Sequence, residues 1–571
     1  MNRLFLATLA LATLACQPDI TPWEGPTLTN PRNQLTVEHL LGDTTPALLD
    51  MSYFAQPQWA KAASHSFSGA ISFTDTEMFF PQERAPYPGE NIFPAFTVDF
   101  ISAEGKLVPI QRGKIITQYQ SESHWDVVVG AGKVWQEESD GQWSRASFPL
   151  TLTDRYIGQA RNCVATFVYQ PDSISQVCLQ CSQETADLND LQVGNMQAML
   201  KATYDPTEYA ETGLVLDQYR QKVANRLPVF PLEDIDHGGD IADYFSQNEY
   251  TNASTSQGAI LLDGRLFVHP PQTRHGPYPY PAEMRHGVYS VTKSMAGALS
   301  LLYLAQRYGP EIMEANITDY VPALADHPGW QGVTFSQTLN MVTGTVGGEG
   351  PEHLLNVIIL ASTAEEAINN VATLGDAPVA PGEQFNYAST NLFVLSYAMQ
   401  QYVAEQEGTG VGYWELVQEH VLKPIGAEDF VVLRTQEGEG VPGIPWLAYG
   451  ALPTLDEAAK ISRLFASQGY HQGQPILNVE LTFEALRSNN WEGHDTNKDY
   501  RGEAYMHSFW VKNYRAHGCS FNASYMLGYG GNYVVFLPSG SVILRFMDEY
   551  DLDIRSLIRR VENGNSSCDG E

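Results

Sequence analysis

Two hairpin signatures, one near each end of a long stretch of chain, constrain the fold more than any other feature. Ala-Ile-Leu-Leu at 259–262 and Arg-Leu-Phe-Val at 265–268 flank Asp263 and Gly264. Asp and Gly tolerate the positive φ of a tight two-residue turn, so the run predicts strand, turn, strand. Tyr-Val-Val-Phe-Leu at 533–537 and Val-Ile-Leu-Arg-Phe at 542–546 flank Pro-Ser-Gly-Ser at 538–541 and predict a second hairpin. Most of the chain between them reads as helix and loop, and residues 551–561 have helical spacing with Asp551 as N-cap. A sheet made from both ends of this region, with helices packed on it, is an α+β arrangement.

The chain before it has another texture. Residues 48–224 are rich in aromatic and β-branched runs, such as 67–73, 125–129 and 164–169, with a helical stretch near 190–201. No catalytic signature stands there; the region reads as a binding module or as a packing platform. Arg-Leu-Pro-Val-Phe-Pro at 226–231 marks the boundary, because two prolines in four residues stop regular structure. The expected organisation is a leader at 1–16, a tether at 17–47, a β-rich domain at 48–230, the α+β domain at 235–561 and a tail at 562–571.

Of 571 residues, 43% are hydrophobic, enough for a sizeable core, while 66 acidic against 33 basic side chains give a net charge of −33. Such a surface repels phosphate backbones and anionic bilayers, which excludes nucleic acid as a partner and leaves membrane attachment to a covalent anchor. Residues 4–15 form an apolar run too short to span a bilayer but right for an export signal. The run ends in Ala15-Cys16, which resembles a bacterial lipoprotein processing site, with Cys16 lipidated and the protein held at the outer membrane, facing periplasm or surface. An ordinary cleaved signal beside a coincidental cysteine is the alternative. Export permits disulfides. Cys178 and Cys181 read as local disulfide chemistry with Cys163 at hand, and Cys519 with Cys568 as a staple of the tail. No metal or cofactor is implied, since no second cysteine pair or histidine cluster completes a ligand set.

Chemistry concentrates after residue 289. Ser290 opens a long apolar helix, and Lys293 lies three residues on, on the same face. A serine at a helix N-terminus meets backbone N–H groups and the positive end of the dipole, both suited to holding an oxyanion. Burial and the dipole favour the neutral form of Lys293, a base within reach of a hydroxyl. Ser-x-x-Lys alone also arises by chance, and Ser290 alone reads equally as an N-cap. Two further segments give it context. Tyr387 precedes an apolar helix in a loop opened by Pro381-Gly382, and is a candidate general base because a phenol beside an ammonium has a lowered pKa. Leu-Gly-Tyr-Gly-Gly-Asn at 527–532 brings glycines to the start of a strand, where a backbone N–H can approach a substrate closely or where the chain simply turns.

These three segments, in this order, resemble the serine β-lactamase and penicillin-binding protein superfamily, whose nucleophile lies in Ser-x-x-Lys. The likeness runs from about 235 to 561 and includes the stretches at 330–344, 421–426 and 449–459. It implies a β-lactamase/transpeptidase-like antiparallel sheet flanked by helices. It also implies Ser290 as nucleophile, Lys293 and Tyr387 as its base pair, and the N–H groups of Ser290 and Tyr529 as oxyanion hole. Ser389, Gly528, Gly530 and Gly531 would be substrate-binding. Two departures matter. Ser389 stands where asparagine is usual in β-lactamases, and Met526-Leu527 stands where a polar pair grips a substrate carboxylate. Both are more similar to the 6-aminohexanoate-dimer hydrolase and esterase branch. The expected substrate is therefore a small or peptide-like ester or amide without a tightly held carboxylate. A β-lactamase or DD-peptidase acting on cell-wall material, and a catalytically silent surface-binding lipoprotein, are the rival readings.

Overall fold

The computed structural model describes residues 23, 25–42, 44–79, 88–182, 184–186, 195–236, 238, 241–245, 255–345, 349–375, 378–486, 493–497, 502–516, 519–547 and 554–564. Cys16, Cys568 and the expected N-cap Asp551 lie outside them.

The fold is α+β, a β-rich part followed by a sheet with helices. In the first part, among the described residues, twelve strands form one antiparallel sheet. Its longest strands, Ser144–Asp154 and Ala160–Gln170, pair along nearly their whole length. Alternation explains why both are buried on two sides. Cys163, Ala165, Phe167 and Tyr169 face the sheet's own aromatic core with Phe67, Phe100 and Phe148. Val164 and Val168 face the other way, into a second cluster with Leu40, Phe54, Tyr278 and Met284. The stretch expected to be helical near 190–201 contains a strand, Met196–Leu200. Met196, Ala198 and Leu200 all turn into the aromatic core, and period-two burial outweighs helix propensity. Cys163 and Cys181 sit directly opposite on paired strands and form a disulfide; Cys178 stays free and buried, with its thiol pushed up to about 12 by desolvation.

The second sheet has nine strands among the described residues. The first expected hairpin is Thr255–Leu262 with Arg265–His269, turning at Asp263 (φ 50°) and Gly264 (φ 74°). The second is Asn532–Phe536 with Val542–Met547. The two meet with Ile260 opposite Ile543, so the sheet is indeed closed from both ends. Two findings depart from expectation. Residues 229–231 are not irregular but an edge strand parallel to 266–268, its one proline, Pro231, tolerated because an edge leaves one side unpaired. Strands Ala504–Met506, Phe509–Ala516 and Cys519–Gly528 extend the sheet where helix and loop were expected. Helix Leu455–Ala466, closed by a Thr454–Glu457 capping box, lies on strands Thr255–Leu262 and Val542–Met547.

The segment between the first hairpin and Ser290 is clasped by both parts. Asn162 bonds the backbone N–H (3.0 Å) and C=O (2.8 Å) of Arg285. The Arg285 side chain reaches Glu457 at 3.0 Å and donates to Leu452 O. Tyr278 and Tyr280 donate to Cys163 O and Ser147 O, Gly287 N to Thr185 Oγ1, and Tyr289 to Ala186 O.

Candidate active site

Ser290 is delivered by a bend. Tyr289 has φ 45°, a left-handed conformation uncommon in a bulky residue, and it is buried and held by Ala186 and by the Tyr529 ring at 5.3 Å. Backbone bonds from Thr292 to Tyr289 O and from Lys293 to Ser290 O then open the helix. Its first part, Lys293–Ala298, is π-helix before the α-helical Leu299–Tyr308, a local widening that recurs at functional sites. Gly297 lies in this part, where a Cβ would stand 3.0 Å from Leu392, so the missing side chain lets helix Ser389–Glu407 come close.

That approach assembles the polar centre. Lys293 is 1% exposed, and its Nζ stands 2.9 Å from Ser290 Oγ, 2.8 Å from Ser389 Oγ and 2.9 Å from Ala448 O. The same nitrogen stands over the Tyr387 ring, 4.9 Å from its centroid. Tyr387 is wedged among Phe385, Tyr505 and Trp510. Ser389, at the start of its helix, gives its backbone N–H to Glu349 Oε1 at 2.5 Å and its hydroxyl to Glu349 Oε2 at 3.0 Å.

The third segment meets the first back to back. A Cβ on Gly528 would lie 2.1 Å from Val288 O and 3.2 Å from Val291 N, so only glycine lets the strand end lie against the backbone on both sides of Ser290. Gly528 pairs with Asn532 across a turn in which Gly530 and Gly531 have φ near 80°. Asn532 ties the turn by donating to Tyr529 O at 2.6 Å, and Gly530 abuts Ala186. Met526 is fully buried in the core and Leu527 half-buried beside it.

Thus Ser290, Lys293, Tyr387 and Ser389 converge on one centre, and Gly528 and Tyr529 border it. Ser389 has its hydroxyl engaged between Lys293 and Glu349, and Gly530 and Gly531 make the hairpin turn. Sequence reasoning missed Glu349, Ala448 and the 184–186 segment. Glu349 sits in a glycine-rich run without a spacing signal, and Ala448 contributes only its carbonyl, which any residue has. His286 is fully buried, stacked on Phe546 and bonded to Met547 O, away from any role as base; desolvation holds its pKa down at about 4.

No curated protein sequence matches the chain. Among solved structures it is similar to a family VIII carboxylesterase, at 15% identity over 58% of this chain and 96% of that one, with a TM-score of 0.44. It is also similar to a penicillin binding protein from Bacillus halodurans, at 14% identity over 58% and 98%, with a TM-score of 0.41. The family model described as Beta-lactamase matches residues 258–544, from the first hairpin to the last strand of the closing sheet, and the chain belongs to that family of serine hydrolases.

Proposed function

We propose that the chain is an exported hydrolase that opens an ester or amide through an acyl-enzyme on Ser290. The observation that carries this reading is the 2.9 Å approach of a buried lysine nitrogen to a serine hydroxyl that is itself partly exposed. Ser290 Oγ attacks the carbonyl carbon while its proton passes to the Lys293/Tyr387 pair. The carbonyl oxygen takes the negative charge and is held by the N–H groups of Ser290 and Tyr529. The leaving alcohol or amine departs with the proton, and water then attacks the acyl carbon and frees Ser290. Met526 and Leu527 offer no polar grip, which favours an acyl group without a bound carboxylate. Export and a lipid on Cys16 belong to the same reading. They are supported by the apolar leader and by the Cys163–Cys181 disulfide, a bond that persists in oxidising compartments.

The test is p-nitrophenyl butyrate hydrolysis by protein beginning at residue 17, wild type beside Ser290→Ala. Turnover in the wild type and its loss in the variant are expected. Equal rates in both sink Ser290 as the nucleophile. Nitrocefin turnover that exceeds ester turnover would replace the esterase/amidase reading by the cell-wall one. Labelled fatty acid retained by the full chain and lost in Cys16→Ala is expected for the anchor.

A further inference from the structure

A cavity of about 530 Å³ opens where the β-rich part, helix Thr212–Ala224 and the segment leading to Ser290 meet. Its size suits a small molecule, and none of Ser290, Lys293, Tyr387 and Ser389 lines it. Its surface is mostly apolar, from Trp23, Tyr219, Val223, Leu227, Pro279 and Tyr280. The chain beside Trp23 is held close to this space, since a Cβ on Gly25 would stand 2.1 Å from Pro279 O. The charged lining runs against the trend of a chain with a net charge of −33. Four basic side chains, Lys106, Lys133, Arg220 and Arg226, face three acidic ones, Glu104, Glu283 and Asp456. Each acid already serves another group. Glu104 takes Arg220 at 2.8 Å, Glu283 takes Arg226, and Asp456 takes Lys460 at 2.6 Å and the Leu227 N–H at 2.8 Å.

The two lysines stand in an unusual relation. Lys106 and Lys133 are directly opposite on the paired strands Lys106–Pro109 and Gly132–Trp135, so their side chains share one face of the sheet as cross-strand neighbours. Like charges in that position repel, and the fold sets both beside an apolar space. An anion seated between them turns the repulsion into two charge-assisted hydrogen bonds. We propose that this cavity binds a small amphipathic carboxylate, with its two oxygens taken by Lys106 and Lys133 and its apolar body laid against Trp23, Tyr219, Val223 and Leu227. The site is separate from the catalytic centre, and it joins the sheet of the β-rich part to the segment at Pro279 and Tyr280.

Calorimetric titration of the protein with sodium decanoate tests the proposal. One site per chain with a Kd below about 1 mM is expected. Octanoate, shorter by two methylenes, should bind about 10-fold more weakly. Decanamide has the same apolar body without the charge, and should also bind at least about 10-fold more weakly. The double variant Lys106→Gln/Lys133→Gln is expected to lose at least about 10-fold in decanoate affinity, the size of a lost hydrogen bond to a charged group. Lys133→Glu, which sets a carboxylate of the protein beside Lys106, should abolish binding. Both variants are checked by urea melts without ligand, and decanoate should raise the midpoint of wild type and of neither variant. The absence of binding by wild type up to about 1 mM overturns the proposal. Equal decanoate affinity in wild type and the double variant also overturns it, because the ligand then sits elsewhere, the catalytic centre included. Decanamide bound as tightly as decanoate removes the role of the two lysines and overturns it as well.

Discussion

At the scale of single residues, the site depends on how closely backbones approach. Gly528 is the sharpest case, because the atom its side chain would strike is a main-chain carbonyl two residues before Ser290. A carbonyl cannot rotate away as a flexible side chain can, so Gly528→Ala must push the strand end or the nucleophile bend. The expected cost is ~1–3 kcal/mol in stability, the range of an overpacked site. The loss in kcat/KM should be at least about 100-fold, since misplacement near 1 Å costs that much where reacting groups are pre-aligned. A urea melt beside a rate measurement reads both. Equal kcat/KM in Gly528→Ala would mean that the contact between the two segments does not position Ser290. The Ser-x-x-Lys pair and Tyr387 were legible in the sequence because each sits at a helix start or in a turn whose local grammar is short-range. Glu349 was not, since its partner Ser389 is forty positions away and only the closed fold brings them together.

At the scale of elements, the two hairpins were legible because their turns carry the residues that positive φ requires. The inner strands from 504 to 528 were less so, since their pairing depends on neighbours across the sheet rather than on turn chemistry. The strand at 196–200 was misread for the same reason. The closing sheet also sets an acid limit. His286 lies sealed between the nucleophile bend and strand Val542–Met547, and burial there disfavours its charged form, holding the pKa at about 4 against an ordinary value near 6.5. The unfolded chain therefore binds this proton first as pH falls. The stability His286 contributes is complete above pH 6.5 and is lost progressively down to about pH 4, by ~3 kcal/mol in all. His286→Phe retains a ring to stack on Phe546 but cannot take the proton. The variant is expected to be less stable than wild type at pH 7.5, through loss of the bond to Met547 O. Its urea midpoint should then fall less than that of wild type between pH 7.5 and 4.5. Parallel pH dependence in the two proteins would remove His286 as the cause.

At the scale of the whole molecule, the β-rich part cannot be treated as an appendage. It supplies half of the clasp around the run-in to Ser290, through Asn162 on a strand and Thr185 and Ala186 in the segment after one, while helix Leu455–Ala466 and the 451–453 segment supply the other half through Glu457 and backbone bonds. The contact is apolar as well as polar: Val164, Val168 and Cys178 share one buried cluster with Tyr278, Tyr280 and Met284. Separate domains usually meet over small, polar surfaces and move independently. A surface that buries a guanidinium against its carboxylate and seals backbone groups on both sides should instead couple the two parts into one cooperative unit. Calorimetry of the chain beginning at residue 17 is therefore expected to give a single transition with equal calorimetric and van't Hoff enthalpies. Asn162→Ala tests the coupling at its centre. It strands the N–H and C=O of Arg285 away from water, at ~1–3 kcal/mol for each unsatisfied group. If the parts are coupled, the variant lowers the opening free energy of strand Ala160–Gln170 and of strand Cys519–Gly528 by the same amount, as read by hydrogen exchange. Two calorimetric peaks, or protection lost in the first sheet alone, would make the β-rich part a separate module and leave the nucleophile bend to the second sheet's own residues.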